Sequence, residues 1–104
     1  MRFLDAAAFT AERAWGAHDL AEFDNATVRL HWTDEPYVWH VNDGPEVFAV
    51  LEGAVDMRYR DTQGRERSEH LTPGRVCVVD VGDEHVAEPA PEARILVIER
   101  AGSV

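Results

Sequence analysis

Residues 39–53 read WHVNDGPEVFAVLEG: a tryptophan and a histidine lead into an Asn-Asp-Gly-Pro turn, and a glutamate then opens an almost wholly apolar strand. Polar groups at the entrance of a buried strand are costly unless they have a partner. Side chains two apart in extended backbone point the same way, so His40 and Asn42 share a face. If the turn at Asp43-Gly44-Pro45 brings the chain back, Glu46 joins them. A second polar position follows at Val81-Gly82-Asp83-Glu84-His85, where His85 comes just after a tight turn and begins another strand. Two histidines and a carboxylate on strands that face each other would form a site with three protein ligands and open coordination positions. That ligand set suits a divalent transition metal such as iron, manganese, nickel or zinc.

Outward from this stretch the chain reads as one small β domain. It has 104 residues, 45% hydrophobic and 29% charged, enough for a single core and too few for two. From position 26 onward, short β-branched and aromatic runs alternate with turn residues: ATVRLHWT (26–33), PYVWHV (36–41), EVFAVLEG (46–53), AVDMRYRD (54–61), ERSEHLT (66–72), RVCVVDV (75–81), HVAE (85–88) and ARILVIER (93–100). Roughly eight short strands at such spacing indicate a small antiparallel sandwich or barrel. Residues 1–25 differ in character and are expected as an N-terminal arm, with Asp5 capping a short helix over residues 6–13 that Gly16 ends. The barrel is expected over residues 26–100.

Charge and composition exclude several classes of function. Ten basic against 20 acidic side chains give a formal net charge of −10, which repels nucleic acid. No run approaches the ~20 apolar residues of a membrane span, and Asp5 interrupts any secretory apolar stretch. The single cysteine, Cys77, has no partner within the chain and is read as a buried strand residue in a reducing compartment. A cytoplasmic protein that binds neither nucleic acid nor membrane is the expectation. The runs VFAVL, VCVV and ILVI are apolar on both faces, which predicts cover on both sides and, in so small a domain, a homodimer.

At this point the pattern resembles the cupin superfamily, specifically the small single-domain cupins of the conserved-barrel cupin 2 type. The first cupin motif runs histidine, one residue, histidine, three or four residues, glutamate, six residues, glycine. Here it reads His40, Val41, Asn42, then Asp43-Gly44-Pro45, Glu46, six residues, Gly53. The second motif is matched by Gly74, five residues, Asp80, one residue, Gly82, Asp83-Glu84, His85, three residues, Pro89. Asn42 stands for the second histidine, Asp34 for the opening glycine, Asp80 for a proline and Pro89 for the final asparagine. The resemblance implies a jelly-roll barrel with His40, Glu46 and His85 as metal ligands and Asn42 as a fourth. It also implies metal-dependent chemistry of the kind seen in dioxygenases, isomerases and lyases, with a small molecule bound in the barrel. The alternative is a non-catalytic module that binds or senses a small molecule, with or without metal; a barrel that kept the fold and lost the metal is a third option.

Plainer roles stand beside these. His40 and His85 can be structural histidines, Glu46 can face solvent at a strand edge, and Asn42 suits a turn. Trp39, Trp32 and Phe48 are expected in the core, and His18, His31 and His70 at the surface or in packing. In metal-free protein the acidic rim of Asp80, Asp83, Glu84 and Glu88 should raise the pKa of His85 by favouring its charged form. The directions of Tyr59 and Glu52, on neighbouring strands, are not fixed by parity.

Overall fold

The structure, a computed structural model, describes residues 1–103. Among them the chain forms one 3-10 turn, Ala6–Ala8, and seven strands: β1 (Gly16–Phe23), β2 (Ala26–Thr33), β3 (His40–Val41), β4 (Glu46–Arg60), β5 (Glu66–Leu71), β6 (Val76–Val79) and β7 (Glu84–Arg100). All pairings are antiparallel, as expected of an all-β barrel of the jelly-roll kind. None of the helices in the described residues is long and apolar enough to cross a membrane.

The long strands β4 and β7 organise everything else. They lie side by side from Glu46↔Glu99 to Tyr59↔His85, with register shifts between Val50 and Glu52 and between Gly53 and Val55. On one side of these irregularities β4 pairs β6, and β7 pairs β2, which in turn pairs β1. Beyond them β4 pairs β5 and β7 pairs β3. The two halves close on one apolar core, in which Phe48, Val50, Ile95 and Val97 from the first half cluster with Val55, Met57, Leu71 and Ala87 from the second. Ile95 and Val55 are completely buried.

Three expectations about element boundaries change. EVFAVLEG and AVDMRYRD are one strand, because Gly53 takes φ +77° and forms a bulge instead of a hairpin turn; only glycine adopts that conformation at little cost. HVAE and ARILVIER are also one strand. Pro89 and Pro91 fall between the end of the β3 pairing at His85 and the start of the β2 pairing at Ala93, where a missing N–H breaks no ladder on that side. The run 36–41 is reduced to His40–Val41.

The N-terminal arm differs more. Asp5 does cap, accepting a hydrogen bond from the Ala7 N–H at 3.1 Å, but the helix stops after one turn. Two isolated helical turns are marginal by themselves, and the next residues have another use: the guanidinium of Arg94, its side chain only 11% exposed, donates to the Phe9 carbonyl at 2.7 Å and to Thr10 Oγ1 at 3.3 Å. Gly16 begins a strand where a helix end was expected, and residues 16–23 pair with β2 as part of the barrel.

Trp32 and Phe48 are buried as expected. Trp39 lies on the outer face, half-buried, with the Arg58 and Arg60 guanidinium groups 5.3 and 5.2 Å from its ring. The first half of the sheet carries apolar residues outside as well. Val28, Ile98, Val47 and Val78 form one cross-strand row, and Val76, Val78 and Ile98 are 57%, 65% and 36% exposed.

A Cβ at Gly53 would fall on the Glu92 carbonyl oxygen and 3.0 Å from Ala93 Cα, whereas one at Gly64, also at φ +77°, would meet nothing. Both substitutions to alanine pay the left-handed conformational cost of about 1–2 kcal/mol. Gly53→Ala should therefore lose at least about 2 kcal/mol more than Gly64→Ala, read as the difference in urea-unfolding free energy; equal losses would mean that the bulge is not a fixed bend.

Candidate functional site

The register of the long ladder brings the motif residues together. Tyr59 of β4 pairs His85 of β7, and His85 pairs His40 of β3, so three chemistry-bearing side chains stand in a row on the inner face. Across the barrel, Glu46 of β4 pairs Glu99 of β7, which belongs to the other half of the sheet. The His40 and His85 ring centroids are 4.4 Å apart, and His85 Nε2 is 3.8 Å from Glu46 Oε1. His85 is 5% exposed, and the Glu46 side chain 12%.

Each imidazole is oriented through its other nitrogen. His40 Nδ1 is 2.9 Å from the Val38 carbonyl, and His85 Nδ1 is 3.5 Å from the Asp83 carbonyl. As N–H donors on that side, both rings keep Nε2 as the free nitrogen, and the edge of Tyr37 packs on His40 with centroids 5.2 Å apart.

Asn42 takes a different part. Its amide Nδ2 donates to the Gly44 carbonyl, its own N–H donates to the Asp83 carbonyl at 2.8 Å, and its carbonyl accepts from the Gly82 N–H at 2.9 Å. The residue is 4% exposed. Asn42 thus closes its own turn and ties it to the turn that precedes His85, which sets His85 opposite His40. Of the four expected ligands, the structure gathers His40, Glu46 and His85 around one cavity of about 190 Å³ and holds the Asn42 amide in the turn.

The electrostatics of this cavity depart from the expected acidic rim. The pKa of His85 is lowered, first by burial and then by the neighbouring His40. The expectation of a raised value is corrected: the carbonyl and the charge of Asp83 do act to raise it, but burial and His40 outweigh them. Glu46 moves the other way. Burial, the charge of Glu99, a hydrogen bond with Glu99 and the charge of Asp43 push its carboxyl up to about 7. Burial also raises Glu99. Burial thus drives His85 and Glu46 alike toward their neutral forms, which weakens ion pairing across the 3.8 Å between them.

Two further residues line the same cavity. His31, expected in packing, has its Nδ1 3.0 Å from the Trp15 carbonyl and a pKa lowered chiefly by burial. Glu99 is the carboxylate that the motif reading missed. Its signal lay in parity: Ile95, Val97 and Glu99 alternate on one face, and the first two are core. His18 packs against Phe9 and His70 pairs Asp56 at the surface, as expected. Glu52 faces away, bonded to Arg94 at 3.1 Å.

The donor types fit a divalent metal. Ligands bound at about 2.0–2.2 Å stand roughly 3–4 Å from one another, the range in which His85 Nε2 and Glu46 Oε1 already lie. Two neighbouring carboxyls in a buried site, both raised by burial, form a set that a cation would relieve. Among the described residues, however, no group of three or more His, Cys, Asp or Glu side chains is closed into coordination geometry.

No family model matches the chain, and no curated protein matches it in sequence. Solved structures do match. A cupin-2 domain protein from Shewanella frigidimarina is 28% identical with a TM-score of 0.76, covering 90% of this chain and 86% of that one. A cupin superfamily protein from Desulfitobacterium hafniense is 17% identical with a TM-score of 0.75, over 92% of this chain and 86% of that one. An oxalate decarboxylase variant from Bacillus subtilis is 15% identical with a TM-score of 0.73, over 89% of this chain and 27% of that one.

Because Glu46 is raised from 4.5 to about 7, the folded state holds a proton that the unfolded state releases. Stability of chelator-treated protein should fall as pH rises from about 4.5 through 7, by on the order of 2–3 kcal/mol. Glu46→Gln, which keeps the shape and removes the charge, should flatten this slope and raise Tm at pH 8. An unchanged slope would mean that Glu46 is ionised in the folded protein.

Proposed function

We propose that this chain, a small cupin by fold, binds a divalent transition metal through His40, Glu46 and His85 and holds a small molecule beside it. The observation that carries this reading is the pair of imidazoles whose Nδ1 atoms are turned to backbone carbonyls and whose free Nε2 edges share a buried cavity with Glu46. Backbone acceptors of this kind fix tautomer and direction in metal-binding histidines. Iron, manganese, nickel and zinc all accept such a donor set. When bound, the metal would supply Lewis-acid activation of an oxygen on the small molecule, in keeping with dioxygenase, isomerase or lyase chemistry. The chain's own residues supply the rest: the apolar core around Phe48, Ala87 and Val97 limits water, and Glu99, raised by burial beside Glu46, is the group that holds a proton at the cavity wall.

A second reading is a binding module that takes its ligand without metal. It is favoured by Asn42, which stands at the second histidine of the motif and whose amide is held by the Gly44 carbonyl in the turn.

Metal analysis of protein purified without a histidine tag distinguishes the two. The first reading expects close to one metal per chain, lost in His40→Ala and His85→Ala. Asn42→Ala should keep the metal while losing about 1–3 kcal/mol of stability, because its turn loses a buried hydrogen bond. Folded parent protein without metal, reloaded by none of the four ions, would sink the metal reading.

We also propose that a second copy of the chain covers the row Val28, Ile98, Val47 and Val78, since exposed apolar residues in continuous register favour burial. Sedimentation should give a dimer for the parent and a monomer for Val78→Lys. A monomeric parent at high micromolar concentration would refute this.

A further inference from the structure

His85 lines two cavities. The smaller is lined by Glu46, Glu99 and His40 as well; the larger is a cleft of about 820 Å³ between β5 and β6. We infer that this larger cleft is the chamber for the small molecule, that its ligand is uncharged with an apolar, ring-sized body, and that the Tyr59 hydroxyl is the group that orients it. The inference deepens the proposed function and rests on that reading only in placing the ligand beside His85.

Volume and lining argue for a ligand site, since small-molecule pockets occupy roughly 300–1,000 Å³ with mostly apolar walls and a few polar groups. The floor is made by Met57, Leu71 and Val79, all under 5% exposed, with Cys77 beside them. These side chains come from three strands, and the cleft stays open because β5 and β6 each pair only with β4 and not with each other.

The charge class follows from the rim. Arg60 is 3.3 Å from Glu84, and Arg75 is 3.3 Å from Glu69. Both arginines of the cleft are thus already matched by a carboxylate that lines the same cleft, so neither is free to hold an anion. The net charge of −10 opposes an anion further. Of the two remaining carboxylates, Asp61 is matched by Arg67 at 3.1 Å, and Asp83 lies in the exposed turn with its Oδ2 accepting the Asp80 N–H at 2.9 Å, so the apolar floor favours an uncharged molecule over an anion.

Tyr59 supplies direction. It is paired with His85 and so points to the inner face, and it lines the cleft half-buried. Among the described residues its hydroxyl makes no hydrogen bond and is not one of the buried polar atoms left without a partner, so it is open to a group in the cleft. A ligand hydroxyl or carbonyl would complete it at the end of the cleft nearest His85.

Cys77, the single cysteine of the chain, makes the test direct. The protein as purified is titrated at pH 7 with 2-naphthol, an uncharged bicyclic aromatic with one hydroxyl, and with 2-naphthoate, its anionic counterpart, following probe fluorescence. Saturable one-to-one binding of 2-naphthol is expected, weakened about three- to tenfold by Tyr59→Phe. Bound 2-naphthol should slow N-ethylmaleimide labelling of Cys77, the labelled protein should no longer bind it, and 2-naphthoate should bind at least tenfold more weakly. Absence of saturable 2-naphthol binding, unchanged affinity in Tyr59→Phe, or tighter binding of 2-naphthoate would overturn the inference. Metal content measured on the same samples keeps this outcome separate from that of the metal reading, because 2-naphthol bound by metal-free protein would sustain the chamber and count against the metal.

Discussion

The antiparallel ladder between Glu46–Arg60 and Glu84–Arg100 is the constraint on which the rest of the molecule depends. Most of the core side chains come from these two strands, and the other strands add to their flanks. A ladder of this length would twist as a flat ribbon with a face it could not bury alone. The bulge at Gly53 and the residues 90–92 opposite it, which have no partner on β4, bend it, so that one pair of strands serves both walls of the barrel. Phe48 and Val97 at one end then meet Met57 and Ala87 at the other in the same cluster.

The site is a consequence of that bend. Glu46 opens β4 and His85 is the second residue of β7, and in the antiparallel pair they stand at opposite ends: Glu46 is beside Glu99, and His85 beside Tyr59. Only folding the ladder on itself brings the carboxyl pair over the imidazole pair. The electrostatics follow from burial more than from nearby charge. Desolvation is the leading cause of the shifts at His85, Glu46 and Glu99, and it drives acids and bases alike toward their neutral forms. The acidic turn before His85 is conspicuous in the sequence, but Asp80 faces solvent and the raising effect of Asp83 is outweighed by burial and by His40.

Asn42 illustrates how one residue type can serve two ends. In the motif its position is that of a ligand; in the structure its amide and backbone fasten the turn at 43–45 to the turn at 80–84. Those contacts hold His40 and His85 in register, so the departure from the motif costs one imidazole while keeping the two that remain in place. Nothing in the one-dimensional spacing separates these roles, because a side chain two residues from His40 shares its face only while the backbone stays extended, and the strand ends at Val41.

The sequence by itself determined the β class, the turn chemistry and the identity of the residues around the site. Alternating apolar runs and Gly, Pro, Asn and Asp punctuation are local properties that act within a few residues, and His40, Glu46 and His85 stood out as polar groups at the entrances of apolar strands. Tertiary structure alone decided which strands merged, what became of the first 23 residues, and which side chains face the cavity. Arg94 drew Phe9 and Thr10 away from a helix because a buried guanidinium needs acceptors wherever they lie along the chain. Glu99 entered the site, and Tyr59 the cleft beside it, through pairing across the long ladder, a contact between residues dozens of positions apart that no local pattern encodes.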